Sequence, residues 1–145
     1  MTNHVLRLAC LAALLPAAAW AQTAASDEAL IRATVNTYFE GWSTGDTTKL
    51  SSAMHPSCHL KFVRDGAFGQ VNKNTYLRGF KPQPRGEVQT RILQLHHTGH
   101  AAGVVSEIRV GGNRYTDYFN LLRINGRWYI TDKAAIREEA PLTAR

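Results

Sequence analysis

Four polar side chains, Arg91, Ser106, Asp117 and Asp132, fall within stretches otherwise rich in Leu, Ile, Val and Phe. An aspartate in apolar surroundings is pushed toward its neutral form unless a cation pairs it. Such a group acts as a general base or anchors the polar edge of a bound molecule. Upstream, Tyr38, Phe39 and Trp42 share one stripe at helical spacing; this is core by type, with polar tips that would also clamp a flat ligand. His55 ends a short apolar segment before Pro56, where a protonated imidazole suits a helix C-terminus and also titrates near neutral pH as a pocket-mouth acid or base. His96, His97 and His100 cluster at a turn, but His96 points to the opposite face and no carboxylate accompanies the others. No metal site is expected from them. The sequence has no phosphate-cradling glycine loop, nucleophile elbow or zinc signature, so no cofactor is expected.

These residues need elements to hold them. Ser26 or Asp27 opens a helix whose apolar side is Leu30, Ile31, Val35, Tyr38, Phe39 and Trp42. Gly41 and Gly45 loosen its end, and Asp46 caps a second short helix with Leu50, Ala53 and Met54 inward, stopped by Pro56. Leu60 to Val63 and Phe68 to Val71 flank Asp65-Gly66, a hairpin signal. Asn72 caps a third helix carrying Tyr76, Leu77 and Phe80. Strands near 88–97, 101–110, 114–124 and 127–136 follow, separated by Thr98-Gly99, Gly111-Gly112 and Asn125-Gly126. Helices first and an antiparallel meander after them make an α+β domain.

Residues 1–21 read as a signal peptide: Arg7, an apolar run from Leu8 to Leu15, and Ala19-Trp20-Ala21 as the cleavage site. That predicts a periplasmic or secreted protein, a single domain over 22–140 and a loose tail over 141–145. Cys10 leaves with the signal, and Cys58 alone cannot form an internal disulfide. The apolar run is too short for a permanent membrane span. The formal charge is +6, or +5 without Arg7. Its basic residues are scattered instead of striped, and with the export signal this argues against nucleic acid as a partner.

Counting outward from each two-residue turn assigns every strand residue to a face. One face collects Arg91, Leu93, Leu95, Ala102, Val104, Ser106, Asp117, Phe119, Leu121, Trp128, Ile130 and Asp132. The other collects Ile92, Glu107, Tyr118, Leu122, Tyr129 and Lys133, a mixed surface suited to a homodimer interface. The first face packs on the helices and carries a polar row: Arg91 reaches across Ser106 to Asp117, with Asp132 diagonal to it. The row reads either as a satisfied ion pair or as the wet lining of a pocket.

This arrangement resembles the nuclear transport factor 2-like superfamily, in which N-terminal helices pack on a curved antiparallel sheet of four to six strands that forms a cone. Within it, Tyr38-Phe-Glu-Gly-Trp42, Gly45-Asp46, Met54-His-Pro56, Asp117-Tyr-Phe-Asn-Leu-Leu122 and Asn125-Gly-Arg-Trp-Tyr-Ile130 resemble the Putative lumazine-binding family. The resemblance implies a small, mostly apolar, pteridine-like ligand in the cone, without a catalytic motif. Tyr38, Trp42, His55, Arg91, Asp117, Phe119 and Trp128 are the candidate ligand-binding residues. Where relatives of this shape are enzymes they resemble ketosteroid isomerases. The alternative is therefore an isomerase or dehydratase using Asp117 or Asp132 as base, and a non-catalytic dimeric module is a third reading.

Overall fold

The computed structural model describes residues 25–83 and 85–139. The expected signal segment and tail lie outside them. Helix α1 spans Asp27–Thr44, opened by Ser26, whose Oγ accepts from the Ala29 amide. Its stripe of Ile31, Val35, Tyr38, Phe39 and Trp42 is buried. The helix ends at Gly45 with φ of 72°, where a Cβ would lie 2.0 Å from the Lys81 carbonyl oxygen, so only glycine fits. Asp46 Oδ1 then accepts from the amides of Thr48 and Lys49 and starts helix α2, Thr47–Ala53. Helix α2 stops two residues earlier than expected, at Ala53 instead of His55: buried Met54 already opens strand β1, Met54–Arg64. Strand β2 is Ala67–Asn72, and Asn72 caps α3, Lys73–Arg78. Strands β3 (Val88–Thr98), β4 (Ala101–Val110), β5 (Asn113–Ile124) and β6 (Arg127–Glu139) complete the elements of the described residues.

The six strands form one sheet in the order β2-β1-β6-β5-β4-β3. All neighbours are antiparallel except β1 and β6, which run parallel. Asp65-Gly66, Gly111-Gly112 and Asn125-Gly126 all have positive φ, as type I′ turns require. The core lies between the inner sheet face and α1, with Phe119, Leu121, Trp128, Ile130, Val104 and Ile108 all buried. Trp128 Nε1 donates to Asp27 Oδ1 at 3.1 Å, and Arg123 pairs the same carboxylate, pinning the start of α1 to the β5–β6 hairpin.

Three details of register depart from the simple count. The β3–β4 turn is Gly99-His100, because a type II′ turn needs positive φ at its first central residue and Gly99 supplies it. This moves each partner by two positions and leaves the faces unchanged. Further along β3, the register shifts between Ile92 and Gln94, a bulge at Leu93. Arg91 therefore pairs Glu107 and Ile92 lies opposite Ser106. In β6 a bulge at Thr131, whose Oγ1 donates to the Asn120 carbonyl, places Asp132 opposite Asn120 and Lys133 opposite Phe119.

Candidate functional site

The two bulges rebuild the polar row. Arg91 is on the outer face, not beside Asp117; with Arg109 it clamps the carboxylate of Glu107 at 2.6 and 2.8 Å. The guanidinium hydrogen bonds hold the Glu107 carboxyl down at about 2. Asp132 is also turned outward, 2.5 Å from Lys61 on β1. Asp117 stays inside as the count requires, opposite Ser106, but its counter-charge is Lys133, with Nζ 3.1 Å from Oδ1. Asp117 and Lys133 are 2 % and 4 % exposed, so this is an ion pair sealed from bulk solvent.

Two tyrosines complete the cluster. Lys133 Nζ also donates to the hydroxyls of Tyr38 at 2.5 Å and Tyr76 at 3.3 Å, which are themselves 2.6 Å apart. The three ammonium hydrogens thus meet three acceptors. The carboxylate and hydroxyls are not exhausted in this way. Asp117 Oδ2 is buried without a hydrogen-bond partner, and so is Ser106 Oγ on the neighbouring strand. One hydrogen is shared between the two tyrosine oxygens, so the other hydroxyl keeps a donor to offer. The cluster therefore keeps one unspent acceptor, Asp117 Oδ2, and one tyrosine hydrogen, the two kinds of group that an amide-like edge would need.

Burial, against the pull of Lys133, pushes the Asp117 carboxyl above the usual aspartate range. For Lys133 burial works downward, but the Asp117 carboxylate and the Tyr76 hydroxyl outweigh it and the ammonium is held. Burial raises both tyrosines, Tyr38 the more strongly. Cys58, a buried residue of β1, is pushed up to about 11 chiefly by desolvation, so its thiol stays protonated and is a poor nucleophile.

Asp117, Lys133 and Tyr76 form the floor of a cavity of about 470 Å³. Trp42 and Phe80 line it on the helix side, Leu60 and Phe62 on the β1 side, and Tyr115 along β5. The volume suits a small molecule of a few fused rings. Of the residues singled out from sequence, Trp42 and Asp117 line this cavity, while Tyr38 and Phe119 stand behind its floor, 5.0 Å apart in an edge-to-face contact. Trp128, Arg91 and Asp132 do not line it. His55 lies in strand β1 instead of ending a helix, its Nδ1 2.7 Å from Ser57 Oγ, beside a separate groove with Tyr129 and Arg127.

Lys133 and Tyr76 were not among the candidates. In the sequence Tyr76 reads only as an apolar residue of the third helix, and a bulge in β6 hides Lys133. The signal available was electrostatic: an inward Asp117 demands a cation, and Lys133 needs a single extra residue in β6 to face it.

The fold is shared with known structures. A nuclear transport factor 2-like protein of unknown function from Shewanella baltica OS155 superposes with a TM-score of 0.71 at 23% identity, over 75% of this chain and 91% of that one. One from Methylobacillus flagellatus KT gives 0.70 at 22% identity, over 81% and 96%. A ketosteroid isomerase-like protein from Erwinia carotovora atroseptica SCRI1043 gives 0.59 at 16% identity, over 74% and 92%. At these identities the likeness defines the class by fold: a nuclear transport factor 2-like α+β domain, with helices packed on a curved, unclosed six-stranded sheet. No curated protein matches the chain. Residues 26–134 match the family described as "Putative lumazine-binding", and the chain belongs to that family.

Proposed function

We propose that this protein is an exported, non-catalytic domain that binds a small, flat, mostly apolar molecule in its cone, with an amide-like edge of the pteridine kind set against the floor. The observation that carries the reading is the floor itself. Asp117 Oδ2, buried at the floor of an aromatic-walled cavity, lacks a partner, while the other charged atoms of that floor, Asp117 Oδ1 and Lys133 Nζ, are paired with each other. A ligand N–H would satisfy that oxygen, and a ligand carbonyl would take the spare tyrosine hydrogen. The family description and the signal-like residues 1–21 support ligand binding and export respectively.

The non-catalytic reading follows from the pairing: a base must be free to take a proton, whereas Lys133 holds Asp117 and Lys61 holds Asp132 away from the cavity. Thermal-shift screening of pteridines, flavins and sterol-like compounds tests the reading. A ligand near 100 Kd adds about 2.7 kcal/mol of stability, and Asp117→Asn should weaken its binding at least tenfold. If no compound raises Tm, or if the Asn variant binds the hit equally well, the floor is not the recognition element. On the outer face, exposed Tyr118 and Leu122 support self-association as a homodimer.

A further inference from the structure

Three arginines surround this cavity, and each lays its guanidinium over an aromatic ring of the wall. Arg64 sits 5.4 Å from the Phe62 ring centroid, Arg137 6.0 Å from Tyr115, and Arg85 4.7 Å from Trp42 and 5.0 Å from Phe80. Arg64 and Arg137 line the cavity directly, and Trp42 and Phe80, which Arg85 covers, do so as well. All eleven acidic side chains of the sequence are among the described residues, and the ion pairs they form do not include Arg64, Arg85 or Arg137. The neighbouring Glu138 is taken by Arg114, and the Asp117 charge is spent on Lys133. Arg137 uses Nε on the Asn113 side chain, and Arg85 Nε is buried with no partner.

Stacking occupies the flat face of a guanidinium and leaves its in-plane N–H edge for another partner. Unpaired arginines beside a low-dielectric, aromatic-walled cavity focus positive potential into it. The floor contributes no net charge to cancel this, since its carboxylate and ammonium offset each other.

From this we infer that the ligand is an anion: a flat, largely apolar body in the cavity carrying a carboxylate, which Arg64 and Arg137 hold at the mouth while Arg85 adds charge through the Trp42 and Phe80 wall. The inference rests on the binding reading above and adds the class of molecule. Fork-to-fork pairing with a carboxylate is the geometry that free guanidinium edges recognise best.

The test compares 2-naphthoate with its neutral isostere 2-naphthamide by isothermal calorimetry on the protein, on Arg64→Gln/Arg137→Gln, and on the surface control Arg114→Gln. Naphthoate should bind at least tenfold more tightly than naphthamide, should weaken as salt rises from 50 to 300 mM and the Debye length falls from about 14 to about 6 Å, and should lose its advantage only in the double variant. Equal binding of both probes overturns the anion inference and leaves the binding cavity standing. If neither probe binds, the anion inference falls, and the screen of pteridines, flavins and sterol-like compounds decides the binding reading separately. If inorganic phosphate competes as strongly as naphthoate, or if Arg114→Gln removes the preference equally, the effect is general surface charge and the inference is wrong.

Discussion

Replacing Lys133 with Met tests whether the floor pair holds the cone together. The substitution keeps the aliphatic stem and removes the ammonium that Asp117 faces at 3.1 Å. With Asp117 2 % exposed, the carboxylate is left buried and uncompensated, a loss of about 3–5 kcal/mol. For a domain of this length that corresponds to roughly 10–20 °C in Tm. Asp117→Asn alone strands the ammonium on two tyrosine hydroxyls, a loss of about 2–4 kcal/mol. The double variant carries neither charge, and its cost should not exceed that of the worse single change, giving a coupling energy of at least about 2 kcal/mol. Urea unfolding followed by far-UV circular dichroism, with thermal melts alongside, measures all four proteins. A Lys133→Met variant within about 1 kcal/mol of wild type, or a double variant whose loss equals the sum of the singles, refutes the buried pair.

Stability should also fall steeply in alkali, because Tyr38 and Tyr76 hold their protons above the ordinary tyrosine value of 10.0 and Lys133 holds its own above the ordinary lysine value of 10.5. The unfolded chain releases those protons first, so the stabilisation present below these values is lost as pH rises past them; urea midpoints from pH 8 to 11 should drop less steeply for Tyr38→Phe. On the acid side Glu107 works in the opposite direction, ionised down to about 2 when folded against 4.5 as the reference value. Its contribution is present above the unfolded value and disappears as pH falls between the two, so Glu107→Gln should flatten the stability profile over that range, and an unchanged slope would mean the arginine clamp is not formed. Tyr118→Glu places a charge on an outer face where Tyr118 and Leu122 are 49 % and 44 % exposed; light scattering should find a monomer, and a dimer that survives rules out this face. Gly45→Ala forces a side chain into left-handed backbone against the Lys81 carbonyl, which should lower stability by about 1–3 kcal/mol in thermal melts.

The α+β order of elements, all three helix caps and the pairing of β4 with β5 were legible in the sequence, because each depends on local chemistry: a short polar cap, a glycine with positive φ, an alternation of two. That is why Asp117 was correctly placed inside, opposite Ser106. The partners of Asp117 were not legible. Alternation carries no mark for an inserted residue, so the bulges at Leu93 and Thr131 exchanged Arg91 and Asp132 for Lys133 without a visible signal. The parallel contact of β1 with β6 was equally hidden, since it joins segments more than seventy residues apart and no turn connects them. Tyr76 comes to the floor only through that long-range docking, on a helix whose own pattern says no more than that it is amphipathic.

That parallel seam has a kinetic meaning. Strands β3 to β6 fold back on their immediate neighbours through two-residue turns, whereas the β1–β2 hairpin must close a loop of some seventy residues before His59 meets Asp132. Closing so long a loop is entropically the slowest event in assembling the sheet. The meander, with Lys133 and Asp117 already on it, should therefore gain protection from hydrogen exchange before β1 does. The hollow, which needs Leu60 and Phe62 as its far wall, comes into being only at the last step of folding.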